Sequence, residues 1–499
     1  MEADFCSFLV RIDCQNFDAT VFDTQDLGTR RGGGLAMLNL PEKLFEYLEV
    51  SGLSAEKIYS GASEGLARVE GEEQRISQAI STFLTGNAKA GEGSFEAVVP
   101  FLCCSFSIVK EDAGQFLAQA DYLFNENRRK QMLRPACDSL PRLDEAISLP
   151  CAYDKVRPVS DEITKSGDVF KVSKSVAARL AYGRKNKKAF YESETKEKLD
   201  FSFIDSIDEL VESPPKDLPE TVRNKVAVIY MDGNSFGDIR KNKETISEPE
   251  DQTAFSDHID TQRRKMLKGL LGFLCKLSKD MLLGNTRLRM ETLLWGGDEL
   301  RIILPAWAAV DVLGFLSEEL NGDNWKFKGH EMTHAVGMVV AHYKTPIRDL
   351  QNLATELANS AKGECRTCCL LQYQIFESID LPVRLSAFRE DVYGTDAAKN
   401  FTMPLDRNAF PKIIKKINRL KDPNTGLPRS QLYKLLNTAL KVSENTEEWE
   451  SKILIPKLKD YSLEPDHLKI LSMSQSSLMG LIHLAQLWDY TSSLAEGAA

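Results

Sequence analysis

The stretch Trp295-Gly296-Gly297-Asp298-Glu299-Leu300 stands between two apolar runs, Leu288 to Leu294 and Arg301 to Pro305. Its two glycines permit the positive-φ backbone of a tight reversal, and the Leu/Ile alternation on either side supplies paired strands. The stretch therefore predicts a β-hairpin. Two adjacent carboxylates sit at its tip, which taken alone reads as a solvated acidic turn.

A second acid changes that reading. The apolar run Lys225 to Met231 predicts a strand, and it ends in Asp232-Gly233-Asn234-Ser235-Phe236-Gly237-Asp238. A carboxylate at the end of a buried strand needs a counter-charge. If this strand lies beside the hairpin, Asp232, Asp298 and Glu299 converge into a cluster that suits a hard divalent cation, and Mg2+ is the natural occupant.

These residues resemble the palm-type nucleotidyl cyclase and polymerase fold, shared by GGDEF diguanylate cyclases and the large polymerase-like subunit of type III CRISPR effector complexes. The latter is a cyclic oligoadenylate synthetase. The resemblance implies a Mg2+-dependent (or Mn2+-dependent) nucleotidyltransferase that condenses ATP into cyclic or short oligonucleotide messengers in antiviral defence. Asp232, Asp298 and Glu299 would be catalytic, and together with the Gly233 carbonyl they would be the metal ligands. Nucleotide binding would fall to Gly233, Asn234, Ser235, Phe236, Gly237, Gly296, Gly297 and Lys362. The amides from Asn234 to Gly237 would face phosphates, and Lys362, near a predicted helix end, would neutralise the triphosphate. ATP or another nucleoside triphosphate, a guide RNA and CRISPR effector subunits are the implied partners. Two other functions stay open: a silent scaffold subunit of an RNA-guided complex, and a diguanylate cyclase. The inhibitory RxxD of many cyclases would fall on Arg287-Leu288-Arg289-Met290, where the acid is missing.

The amino-terminal third repeats the pattern. Phe8 to Ile12 predicts a strand ending in Asp13, with Phe17 four residues on, as Phe236 follows Asp232. A Gly-rich turn at Gly32-Gly33-Gly34, a helix through Leu48 and a weaker hairpin over Lys57 to Ala67 follow. A helix near Ile76 to Phe83, a strand from Phe95 to Val109 and a helix from Ala113 to Met132 complete the order. Two such series suggest an internal duplication. The first hairpin offers Ala62 and Ser63 in place of Asp298 and Glu299, with Glu64 displaced by one residue, so this copy reads as degenerate. Aligning Leu123 with Leu357 sets Arg128 opposite Lys362.

The expected fold is α+β: two ferredoxin-like palm domains, antiparallel sheets with helices, plus a small inserted domain and an α-helical carboxy-terminal domain. The boundaries read as 1–135 for the degenerate palm, 136–220 for the insert, 221–375 for the catalytic palm and 376–499 for the helical tail. In the tail, Phe401 to Leu405 and Leu427 to Leu432 look like the end of the CRISPR subunit. The insert carries the basic run Arg184-Lys185-Asn186-Lys187-Lys188, which reads as a solvated face, with RNA contact as the alternative. The resemblance suggests zinc here, but Cys137 and Cys151 alone cannot build a four-ligand site.

Composition bounds the rest. The chain has 499 residues, 42% of them hydrophobic, so it can bury several cores, and its net charge of −10 argues against a generally basic nucleic-acid coat. Ten cysteines, some in apolar runs such as Cys103-Cys104, read as reduced thiols in a cytoplasmic protein. No membrane span or secretion signal is expected. His330-Glu331-Met332-Thr333-His334 fits the HExxH protease pattern, but the β-branched run after it favours a strand over the required helix. Cys365-Arg366-Thr367-Cys368-Cys369 reads as buried thiols in a strand, with a redox pair or shared zinc as the minor alternative. No His-Asp pair occurs, so the HD nuclease often fused to the CRISPR subunit is not expected.

Overall fold

The computed structural model describes residues 6–15, 21–61, 63–86, 91–133, 149–165, 167–379, 381–399, 401–421, 426–441, 450–459, 466–469 and 476–491. Phe17, Ala62, Cys137 and Trp449 lie outside the described residues.

The first repeat runs β1 (Cys6–Cys14), α1 (Leu27–Val50), β2 (Ser54–Ser60), β3 (Glu64–Gly71), α2 (Glu73–Thr85), β4 (Cys104–Lys110) and α3 (Phe116–Leu133). Its sheet has the order β2-β3-β1-β4, with β1 antiparallel to both neighbours. Two sequence expectations fail here. Gly32 to Gly34 do not turn; they lie inside α1, because the helix needs a face without side chains. A Cβ on Gly32 would fall 1.6 Å from the Arg179 carbonyl oxygen of a helix packed alongside. The strand expected from Phe95 is instead a helical turn, Phe95–Val98, capped by Ser94, and a short 3-10 turn containing Pro100, and pairing starts only at Cys104.

A small hairpin, β5 (Asp161–Lys165) and β6 (Asp168–Val172), leads into α4 (Lys174–Thr195), the helix that packs against α1. The basic run sits on α4, and it is not wholly solvated. Lys187 is buried, with its ammonium 2.9 Å from the Phe203 carbonyl oxygen and 3.8 Å from Glu291.

The second repeat runs β7 (Lys225–Gly233), α5 (Phe236–Lys241), α6 (Pro249–Leu277), β8 (Glu291–Gly296), β9 (Glu299–Pro305), α7 (Ala306–Glu319), β10 (His334–His342), α8 (Ile347–Glu364) and β11 (Leu370–Ile375). Its first four strands take the order β8-β9-β7-β10, the spatial order of the first repeat. Strand β7 is apolar from Val226 to Met231 because helices cover both sheet faces. Val226, Val228 and Tyr230 pack with Leu350 and Leu357 of α8, whereas Ala227, Ile229 and Met231 pack with Leu270 of α6 and Leu313 of α7. By the two-residue period, Asp232 belongs to the α8 side.

The tail carries β12 (Thr402–Pro404), α9 (Leu385–Tyr393), α10 (Phe410–Leu420), α11 (Arg429–Lys441) and α12 (Ser477–Leu487). Among the described residues it departs from the all-helical expectation at β12, which pairs antiparallel with β11 as a sixth strand of the second sheet. One continuous apolar cluster joins Leu9, Leu66 and Leu123 of the first repeat to Met231 and Leu267 of the second and to Leu481 of the tail. No helix among the described residues is long and apolar enough to cross a membrane.

Candidate nucleotidyl transfer site

The hairpin forms as its glycines dictate. Gly296 pairs with Glu299, leaving Gly297 and Asp298 as the two-residue loop, and the glycines take φ of +146° and +57°. Strand β8 would be an exposed edge, and α1 and α4 cover it. Arg31 bonds Glu291, the Tyr191 hydroxyl accepts from the Thr292 amide at 2.9 Å, and the Trp295 indole donates to Glu194 at 2.7 Å.

Strand β9 lies beside β7, with Leu300 opposite Met231, so one further residue sets Glu299 opposite Asp232. The Asp298 side chain lies over Gly233, where a Cβ would come within 2.8 Å of Asp298 Oδ2. The three acids from distant parts of the chain are thus brought together. From α8, the Lys362 ammonium donates to Asp232 Oδ2 and to the Gly233 carbonyl, each at 2.6 Å.

The charges are not balanced. Burial, then the neighbouring charges of Asp232 and Glu299, push the Asp298 carboxyl up to about 6. Burial also raises Glu299, although the Tyr230 hydroxyl donates to it at 2.9 Å. Among the described residues no three His, Cys, Asp or Glu side chains already stand at metal-coordinating spacing. The Lys362 ammonium sits against Asp232 and the Gly233 carbonyl. The donor set is all oxygen, three carboxylates and one carbonyl, with one lysine against three acids. That set fits Mg2+ or Mn2+ and not a thiophilic metal.

The following loop is placed less simply. The Asn234 amide donates to the Thr333 carbonyl at 2.8 Å, and its side chain, buried, donates to Thr333 Oγ1 and toward the Cys368 carbonyl. Asn234 therefore clamps the loop, and only the amides of Ser235, Phe236 and Gly237 stand at the start of α5. Ser235 takes φ +61° to begin it. The Phe236 ring is buried against Phe255, Trp325 and His334.

The decoys resolve locally. His330 and Glu331 form a two-residue strand and His334 opens β10, so the HExxH residues never share a helical face. His334 is fully buried, with no hydrogen-bond partner on either ring nitrogen among the described residues, and burial, aided by Lys362, brings it down to about 3. Cys365 and Cys368 are not buried in a strand. They lie in the turn between α8 and β11 with sulfurs 2.8 Å apart, and only Cys369 is buried. The nine described cysteines all carry free thiols.

In the first repeat Asp13 pairs with Glu64 in register. Glu64 is thus the counterpart of Glu299, and Ser63 that of Asp298, which corrects the one-residue displacement read from the sequence. Arg128 does not stand in for Lys362 either. It bonds Gln131 and stacks on Phe124, while Asn127 reaches Asp13.

Sequence reasoning missed three residues. Tyr230 and Arg11 each stand two positions ahead of the strand acid, on the same face, a signal that strand periodicity carries. Arg240 left no such signal, because its partner, Glu64, is 176 residues away.

Residues 225–367 match the family model described as Cas10/Cmr2, second palm domain. Over those residues, which hold the second repeat, the chain is similar to that palm domain. The first repeat has the same strand order. Comparison with curated proteins finds no match. Among solved structures the chain is similar to the Csm1–Csm4 cassette in complex with cA4, with a TM-score of 0.57 and 11% identity, covering 97% of this chain and 70% of that one. The cassette in complex with AMPPNP gives 0.56 and 11% over the same shares. Csm1 in T.onnurineus gives 0.55 and 12%, again over 97% and 70%. At such identity the likeness is one of fold, and it extends over both palms and the tail.

Proposed function

We propose that the protein joins nucleoside triphosphates, ATP first among them, into cyclic or short oligonucleotides at the second palm, as a component of a type III CRISPR effector. The observation that carries this reading is the gathering of Asp232, Asp298 and Glu299 at one strand end with a single lysine among them. A structural turn gains nothing from crowding carboxylates until one of them holds its proton up to about 6. The family match and solved neighbours whose partners are cA4, AMPPNP and Csm4 support it.

Asp232, the Gly233 carbonyl, Asp298 and Glu299 would hold Mg2+ or Mn2+. When bound, a pair of such ions lowers the pKa of an attacking 3′-hydroxyl and offsets the charge of the triphosphate. The chain's own residues position the rest. Tyr230 orients Glu299 by its 2.9 Å hydrogen bond. Lys362, released from Asp232, would turn its ammonium to the triphosphate. The amides of Ser235, Phe236 and Gly237 would face phosphate oxygens, and the open turn at Gly296 and Gly297 lets a nucleotide approach the backbone. In the first palm the Arg11 guanidinium bonds both Asp13 and Glu64, so that palm would hold no metal. A Csm4-like subunit and a guide RNA are the proposed partners, and the cytoplasm the proposed location.

The test is incubation of the chain, alone and assembled with such partners and RNA, with labelled ATP or GTP and Mg2+. Pyrophosphate and a phosphatase-resistant product from ATP, lost in Asp298→Asn, are expected. A product from GTP alone would favour the diguanylate cyclase reading. Silence with every nucleotide and RNA would leave the scaffold reading.

A further inference from the structure

We propose that Glu64 of the first palm and Arg240 of the second form a strut that positions the Asp232–Gly237 loop for catalysis; this rests on the nucleotidyltransferase reading above. Arg240 lies on α5, directly after that loop, and donates to Glu64 Oε1 at 2.7 Å across the boundary between the palms. Its guanidinium also stacks over the Tyr59 ring, 5.1 Å from the centroid.

The charge pattern explains why the contact is fixed. In the first palm, Arg11 bonds Asp13 through Nε at 2.9 Å and a terminal nitrogen at 2.8 Å, bonds Glu64, and donates to the Tyr59 hydroxyl at 2.7 Å. Asn127 also donates to Asp13. One guanidinium still leaves two acids half-neutralised, and Arg240 brings the second cation from the other palm. Burial opposes ionisation of Glu64, yet Arg240 and Arg11 together hold its carboxyl below the usual range. Removing Arg240 would leave Asp13 and Glu64 sharing the one Arg11 guanidinium, and removing Glu64 would take from Arg240 the carboxylate it bonds, which is the costly way to break an ion pair.

The mechanical consequence falls on α5. It has six residues, too few to be stable unaided. It is pinned at one end by the buried Phe236 ring and near the other by Arg240. The loop that carries Asp232 and Gly233 into α5 is therefore held between an anchor inside its own palm and one in the neighbouring palm. Arg240 also places a positive charge close enough to lower the Asp298 carboxyl slightly against its crowded neighbours. Glu64 touches none of the reacting groups, so it and Arg240 are positioning residues.

The experiment uses the full chain with Arg240→Gln, Glu64→Gln, the double variant and Arg240→Lys. Backbone amide exchange is followed over residues 233–241, and pyrophosphate release from ATP with Mn2+ is measured at steady state. The strut predicts that each single Gln variant speeds exchange in that segment by about tenfold while the strands of both sheets stay protected. It predicts a fall in kcat of about 10- to 100-fold with little change in KM, as expected for misplaced groups. The double variant should be no worse than either single one, and Arg240→Lys should restore most of the rate. Unchanged exchange at 233–241, exchange loosened across the whole first palm, or losses that multiply in the double variant would each overturn the proposal. If the unaltered chain releases no pyrophosphate from any nucleotide, the catalytic reading fails, and the exchange data alone decide whether the strut exists.

Discussion

Lys362 Nζ and Asp232 Oδ2 are 2.6 Å apart, and the same ammonium lies 2.6 Å from the Gly233 carbonyl oxygen. Lysine thus competes for two of the four proposed metal ligands. A divalent ion held by these groups would have to displace it, and the released ammonium would then be available to a triphosphate.

Lys362→Met should therefore separate two affinities. Removing a unit charge in contact with Asp232 should tighten binding of Mn2+ alone by about tenfold, and weaken ATP in the presence of metal by a similar factor. Calorimetry with Mn2+ and then with an ATP analogue reads both. Weaker Mn2+ binding in the variant would show that Lys362 supports the site and does not occupy it.

Asp298, pushed up to about 6 by burial and its acidic neighbours, makes a pH prediction. Between about 4 and 6 the folded chain keeps a proton on this carboxyl that the unfolded chain has lost. Its contribution to stability therefore falls as pH rises through that window, and the deficit is constant above it. Asp298→Asn imitates the protonated form. In metal-free buffer it should raise stability at pH 8 by about 1–2 kcal/mol, discounted for partial exposure, and change little at pH 4. Denaturant titrations at the two pH values check this, and added Mg2+ should favour the unaltered chain over the variant.

His334 gives the opposite sign. Its folded value is brought down to about 3, so the unfolded chain takes up a proton below about pH 6.5 that the folded chain refuses. Its contribution to stability is present above 6.5 and is lost as pH falls toward 3, at up to about 1.4 kcal/mol per pH unit. Because neither ring nitrogen has a hydrogen-bond partner among the described residues, His334→Leu should cost little at pH 8 and should flatten the acid limb of the stability curve. An unchanged acid limb would mean that His334 is charged in the folded chain.

Gly32 tests the seat of the Gly296–Glu299 hairpin. A methyl group there would meet the Arg179 carbonyl at 1.6 Å, so α1 and α4 must separate. Gly32→Ala should cost about 3 kcal/mol or more. Because these helices cover β8, it should also loosen amide protection at Thr292 and Leu293.

Much of the second palm was legible because its signals are local. Glycines at 296 and 297, alternating apolar residues and an acid ending an apolar strand each restrict the backbone on their own. The link from Asp232 to the hairpin also followed, since buried carboxylates need company. What escaped depends on distant partners. Gly32 to Gly34 resemble a turn until α4 is seen to need that face. Arg11 looks like an ordinary charged strand residue until its guanidinium is found between Asp13 and Glu64. Arg240 meets its partner only once the two palms are folded together. Glu64 looks displaced by one residue along the chain, whereas strand pairing from Asp13 sets the true correspondence.

The three-residue strand Thr402–Pro404 has a practical meaning for anyone dividing this chain. It shields Leu370, Leu371 and Gln372, whose outward amides and carbonyls would otherwise form a bare ribbon edge. Severing the polypeptide near 376, where the palm was expected to end, would leave that ribbon open to any passing strand, and self-association would follow. The second palm is thus finished by a segment its own boundary would discard.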